Sequence, residues 1–202
     1  SDVSKSLLAI LNRETRIGKK FHIIAVVETD DDAELCDIIG KDEVEIIHTK
    51  NFLARLEAQT CRQSGLPYVY TELLNFAGDE IYFTSDPKLY GKTYNEILTC
   101  YHNSSVIGFC SNLNEILLNP PGETKFKEGF QLLVISEDDD TIDYIGPQNI
   151  EINTELINNG AVKIPPSEHY LLLGWNDNTI EMLGNLEKYV EPNSTVEIIT
   201  PV

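Results

Sequence analysis

Two kinds of hydrophobic pattern alternate along this chain, and the change between them limits the folds open to it. Near the start, Val3, Leu7, Leu8, Ile10 and Leu11 recur at helical spacing. A turn at Ile17-Gly18-Lys19-Lys20 leads into an apolar run from Phe21 to Val27, the pattern of a parallel strand buried on both faces. A short helix to about Ile39, a turn at Gly40 and a strand from Val44 to Ile47 complete a β-α-β rhythm. The same rhythm returns at the far end. Tyr170 to Leu173 has the pattern of a strand, and Asn178 with Glu181 that of a capping box. The helix they open carries Ile180, Leu183, Leu186 and Val190 on its apolar face, and Thr195 to Thr200 forms a further strand.

The stretch between these ends has another character. A longer helix is expected from Thr49, as its N-cap, to about Ser64, with Phe52, Leu53, Leu56, Thr60 and Cys61 on one side and Gly65 as its stop. Tyr68 to Phe76 has the pattern of an amphipathic linker rather than a strand, and a boundary falls near Ala77-Gly78. Short strand-like runs follow at Glu80 to Thr84, Val106 to Ser111, Ile116 to Leu118 and Gln131 to Ser136, with one helix from Thr93 to Tyr101. The expected class is therefore α/β. Residues 1–77 are expected as a partial Rossmann-like, doubly wound lobe, and 78–147 as a small α+β lobe whose strand and helix pattern ends near Asp143. Residues 148–202 supply a linker and the opening β-α-β of a second Rossmann-like lobe.

Charge narrows the partners. The 202 residues carry 33 acidic against 15 basic side chains, a formal net charge of −18. Such a surface repels phosphates and anionic headgroups, which excludes nucleic acid and direct membrane insertion, and it attracts cations or a basic protein face. Plain solubility explains the same balance without any partner. Cys36, Cys61, Cys100 and Cys110 lack the close pairs of zinc or redox motifs, so they are expected as buried thiols of a reducing compartment. No run approaches the roughly 20 apolar residues of a membrane span. The chain opens on Ser1-Asp2-Val3, and its methionine is Met182, the pattern of a soluble piece of a longer protein.

Three constellations could carry chemistry. Gly174 stands where a dinucleotide-binding turn would begin, but the second and third glycines of that pattern fall at Asn176 and Thr179. NAD or an adenine nucleotide is therefore the weaker ligand class. Asp30, Asp31 and Asp32 follow a strand's carboxyl end, although Leu35 and Lys41 stand where an EF-hand needs glycine and glutamate. Glu137, Asp138, Asp139 and Asp140, with Asp143 nearby, could hold Ca²⁺ or another cation or be simply hydrated. His22, His48, His102 and His169 share no metal spacing, and no nucleophile elbow or P-loop is present, so no catalytic residue is assigned. A nucleotide-binding oxidoreductase-like domain and a soluble interaction scaffold stay open as alternatives.

Several segments carry a family likeness. They include Ala54-Arg55-Leu56, Ser64-Gly65-Leu66, Glu72-Leu73-Leu74-Asn75-Phe76 and Glu80-Ile81-Tyr82-Phe83. Further along come Tyr90-Gly91-Lys92-Thr93-Tyr94-Asn95-Glu96-Ile97, Ile116 to Pro121, the run from Glu128 to Thr141, and Leu171-Leu172-Leu173-Gly174-Trp175-Asn176. In that order they resemble the RCK (regulator of K⁺ conductance, TrkA-type) domains, most closely those of the CASTOR/POLLUX ion-channel family. The resemblance implies a regulatory gating-ring segment on the cytoplasmic side of a longer membrane protein. It would pair with other RCK domains as a homo-oligomer and with a transmembrane pore domain, in the potassium or cation class. It also makes the helix from Thr49 a crossover, with Phe52, Leu53 and Leu56 either serving a partner subunit or forming ordinary core. Two departures stand out: any glycine-rich turn of the first lobe would lie upstream of Ser1, and Phe130 replaces an aspartate common after this glycine.

Overall fold

In a computed structural model the described residues are 2–13, 20–112, 115–151, 153–157 and 166–201. The expected turn at 17–20 lies, apart from Lys20, outside them. The chain divides into two compact units, Ser1–Ser64 with Lys163–Val202, and Gly65–Val162.

The first unit begins with helix α1 (Asp2–Leu11), strand β1 (Ile23–Val27), helix α2 (Asp30–Gly40) and strand β2 (Val44–His48). Thr29, in extended conformation, accepts a hydrogen bond from the Asp32 amide at 3.2 Å, and Asp30, Asp31 and Asp32 occupy the first turn, so charge and cap both favour α2 starting there. β1 and β2 pair in parallel from Ile23 opposite Val44 to Val27 opposite His48. Leu7, Ala25, Val27, Cys36 and Val44 form the buried cluster. Ile24 and Val26 are exposed, so the strand expected to be buried on both faces is covered on one. Burial on two faces needs two helical layers, and α1 and α2 pack against each other over a single face.

Helix α3 (Thr49–Arg62) follows without a break. Thr49 is its first residue rather than its cap: the N-cap position falls on His48, and Thr49 Oγ1 donates to the Val27 carbonyl at 3.1 Å. That bond ties α3 to the end of β1. Strand β7 (His169–Leu173), helix α6 (Thr179–Glu187) and strand β8 (Thr195–Ile199) belong to the same unit, with β7 and β8 parallel as expected. Ala54 and Ala58 of α3 are buried against Met182 and Leu186 of α6. The expected capping box is absent, because Asn178 already has helical torsions and Glu181 Oε1 instead accepts from Asn51 Nδ2 at 2.8 Å. α6 is turned accordingly: Ile180, expected in the core, is 71% exposed while Thr179, Met182 and Leu186 are buried. The cover comes from α3, and its small alanines allow close approach along that line alone.

The second unit opens with helix α4 (Leu66–Leu73), where a linker was expected. Pro67 fits there because a first-turn residue needs no amide hydrogen. Strand β3 (Glu80–Thr84), helix α5 (Tyr94–Leu98), strands β4 (Ser105–Asn112), β5 (Glu115–Leu118) and β6 (Gln131–Ser136) complete it, in an antiparallel sheet of order β3-β6-β4-β5. α5 starts on a reciprocal capping box between Thr93 and Glu96 and is shorter than expected, since Tyr101 is drawn into a bridge with Tyr144. The core between α5 and the sheet holds Leu89, Ile97, Leu132, Val134 and a ring cluster around Phe109. Phe109 meets Tyr94 and Phe126 edge-on at 5.4 and 5.3 Å, a packing favoured by the ring quadrupoles. Cys36, Cys100 and Cys110 are buried as expected, but Cys61 is exposed, because α3 turns Ala58 rather than Cys61 toward α6.

Candidate functional site

The turn from β7 into α6 shows why glycine stands at 174. Its φ of +100° lies where side chains are strained, and its amide donates to the Ile199 carbonyl at 2.7 Å, closing the end of the parallel pair. Asn176 Oδ1 then accepts from the Asn178 amide at 2.8 Å, and Thr179 Oγ1 accepts from the Asn176 amide at 3.0 Å. A phosphate at a helix N-terminus needs such amides free. Here side chains of the turn already satisfy two of them, so Gly174 and Asn176 shape a self-closed turn.

Beside this turn lies a cavity of about 430 Å³. Glu57, Thr60 and Cys61 of α3 form one wall, and Leu173, Trp175 and Met182 contribute to the others. Partial burial and then the neighbouring Glu57 carboxylate push the Cys61 thiol above the usual cysteine value. Glu57 was not singled out from sequence, and Trp175 entered only as part of the Leu171 to Asn176 motif, not as a site residue. The available signal was helical spacing, which puts Glu57 on the same stretch of α3 as Thr60 and Cys61.

The acidic segments are held differently. Asp30 Oδ1 lies 3.4 Å from His48 Nδ1, and His48 Nε2 lies 3.0 Å from the Glu28 carbonyl oxygen, so the carboxyl ends of β1 and β2 are linked through one imidazole. Asp32 stands in the capped first turn of α2, and among the described residues it joins that pair in no metal-binding group. Asp138 starts a short 3₁₀ turn, its Oδ1 accepting from the Asp139 amide at 2.7 Å. The buried Ser136 hydroxyl is hydrogen-bonded to Thr141 Oγ1 at 2.7 Å and to Ser104 Oγ at 3.0 Å, which pins both ends of the loop. Glu137, Asp138, Asp139 and Asp140 are all exposed. Among the described residues, no group of three or more histidine, cysteine or acidic side chains converges as a metal site. The loop's charge reaches β3: the Tyr82 hydroxyl, bonded to Glu80 Oε2 at 2.7 Å, is pushed up to about 12, chiefly by that bond and further by Asp138 and Asp139.

On α3, Phe52 is 57% exposed and Leu53 is exposed too, while Leu56 is half-buried. They lie away from the Ala54 and Ala58 line, so they are not core of this unit.

The family model described as Castor and Pollux, part of voltage-gated ion channel, matches residues 50–153, just over half of the chain. The ion channel CASTOR of Lotus japonicus is 27% identical over 187 residues, covering 92% of this chain and 22% of that protein. A probable ion channel POLLUX of Oryza sativa subsp. japonica is 26% identical over 189 residues, covering 92% of this chain and 19% of that protein. The chain thus spans about a fifth of the length of these curated relatives. The human SLO3 gating ring matches 88% of this chain and 41% of its own with a TM-score of 0.54 at 15% identity, a likeness of fold. Among the described residues no helix is long and apolar enough to cross a membrane. With the family model covering more than half its length, the chain belongs to the Castor/Pollux family.

Proposed function

We propose that this chain is a regulatory segment on the cytosolic side of a cation channel of the potassium class, carrying the effect of ligand binding to the pore. The observation that supports it most is the order of its parts. A parallel β-α-β piece runs into α3, a small antiparallel lobe follows, and a second parallel β-α-β piece comes after it in the same chain. That is the sequence expected for the end of one RCK N-lobe at residues 1–77, its C-lobe at 78–147, and the opening of a second N-lobe at 148–202. The relatives named above are ion channels, and no step in this reading is catalytic.

In this reading α3 is the crossover, and its exposed Phe52 and Leu53, with Leu56, pack on another copy of the assembly. An effector cation such as Ca²⁺, taken at residues 137–140 or by Asp30 and Asp32, would act only through its differential affinity for two arrangements of the ring. The test uses the full-length polypeptide reconstituted in planar bilayers. Phe52→Asp with Leu53→Asp should change open probability at least several-fold while leaving unitary conductance unaltered. Unchanged gating in that variant, together with unchanged gating after deletion of residues 50–153, overturns the proposal. Replacing Asp138, Asp139 and Asp140 by asparagine separates the effector site from the coupling, because it should abolish a Ca²⁺ response without altering basal gating.

A further inference from the structure

The cavity between α3 and the β7 to α6 turn takes no part in the gating scheme, yet its chemistry is specific. At about 430 Å³ it falls within the size range of small-molecule sites. Among the described residues that line it, Glu57 is the one acidic side chain, and no lysine, arginine or histidine is among them. No described cation forms an ion pair with Glu57, and Arg62, on the same helix, lies over the Tyr189 ring at 5.3 Å instead. Glu57 shares this wall with Thr60 and Cys61 of the same helix. The other notable wall is aromatic and apolar: the Trp175 indole, 53% exposed, with Leu172, Leu173 and the buried Met182.

These features reject one ligand class and suit another. An anionic nucleotide would meet the Glu57 carboxylate and a turn whose Asn176 and Asn178 amides are already taken. A positive charge carried on an apolar body would meet a carboxylate without an ion-pair partner among the described residues, and an indole, two groups that attract ammonium ions. We propose that this cavity binds a small organic cation of the substituted-ammonium class, with Glu57 and Trp175 as its recognition pair. The inference stands on the first unit alone and is independent of the gating proposal.

Trp175 is the single tryptophan of the chain, so its fluorescence reports this site directly. The chain is titrated with choline, with its uncharged isostere 3,3-dimethylbutanol, and with NAD⁺ and ATP, at a fixed ionic strength of about 0.15 M to screen the net acidic charge. Choline should give a saturable change and bind at least about tenfold more tightly than the neutral isostere, a difference of roughly 1.4 kcal/mol. NAD⁺ and ATP should give none. Glu57→Gln should abolish the preference for the charged form. Equal response to choline and the isostere, saturation by a nucleotide, or a preference that survives Glu57→Gln each overturns the proposal. The comparison of the two isosteres on the unaltered chain decides the matter even if Glu57→Gln does not fold.

Discussion

Gly108→Ala should be among the most damaging single-methyl additions to the second unit. Gly108 sits where β4 slips register against β6, and on its other side it faces Leu118 of β5. A Cβ at this position would fall 2.1 Å from the Leu117 carbonyl oxygen and 3.0 Å from both the Leu117 carbonyl carbon and Leu118 Cα. All three are backbone atoms, so no rotamer change relieves the clash, and reaching ordinary contact requires β5 to retreat by roughly 1 Å or more. β5 is an edge strand held through β4. Losing roughly two to four of its ladder bonds at about 1 kcal/mol each costs about 2–4 kcal/mol. For a unit of this size that lowers Tm by roughly 10–25 °C. Gly129→Ala is the matched control. Its φ is +85° but nothing lies within 4 Å of the added carbon, so the cost is left-handed strain alone, about 1–2 kcal/mol. Circular dichroism melts give both shifts, and amide hydrogen exchange should show the β5 amides losing protection first in Gly108→Ala. A Gly108→Ala melt within about 2 °C of the parent, or a smaller shift than Gly129→Ala, would refute the reasoning.

Three further outcomes follow from local geometry. Met182→Ala empties the buried contact between α6 and the alanines of α3 and should cost about 2–5 kcal/mol in urea unfolding of the first unit. The Glu96 carboxylate accepts from the Thr93 amide at 2.7 Å and its hydroxyl at 2.9 Å, bonds that hold its carboxyl below the usual range. A depressed folded pKa stabilises above the unfolded value and is lost as pH falls through the folded one, so the Tm gap between parent and Glu96→Ala should be open at neutral pH and close below about pH 4. The raised Cys61 thiol should react with iodoacetamide more slowly at pH 8 than a free thiol, and Glu57→Gln should speed it by removing the neighbouring charge.

The fold class, the alternation of patterns and most strand positions were legible because they rest on local periodicity. Glu80–Thr84 and Gln131–Ser136 occur with the expected bounds, and β7, α6 and β8 form the expected parallel pair with a helix between. The helix at Leu66–Leu73 was missed because it is only eight residues long and opens on Gly65 and Pro67, which mark a turn as readily as a helix start. None of its side chains is buried, so no core contact distinguishes it from a linker. The candidate ligand site was only half legible: Gly174, Trp175 and Asn176 fall in a motif, whereas Glu57 has none and comes to line the same cavity only because α3 packs against α6.

The sequence by itself determined most of the strands and helices, that two parallel β-α-β pieces bracket a small α+β lobe, and that the surface is acidic, since these depend on neighbours within a few residues and on composition. Only the tertiary structure decided which face of each helix is buried. Asn51 takes Glu181 from its expected cap, Ala54 and Ala58 seat Met182, and α6 turns Ile180 outward, leaving Phe52 and Leu53 exposed. Such choices rest on contacts between residues more than a hundred positions apart, and the energy of closing over that distance is settled by shape complementarity, which periodicity does not encode.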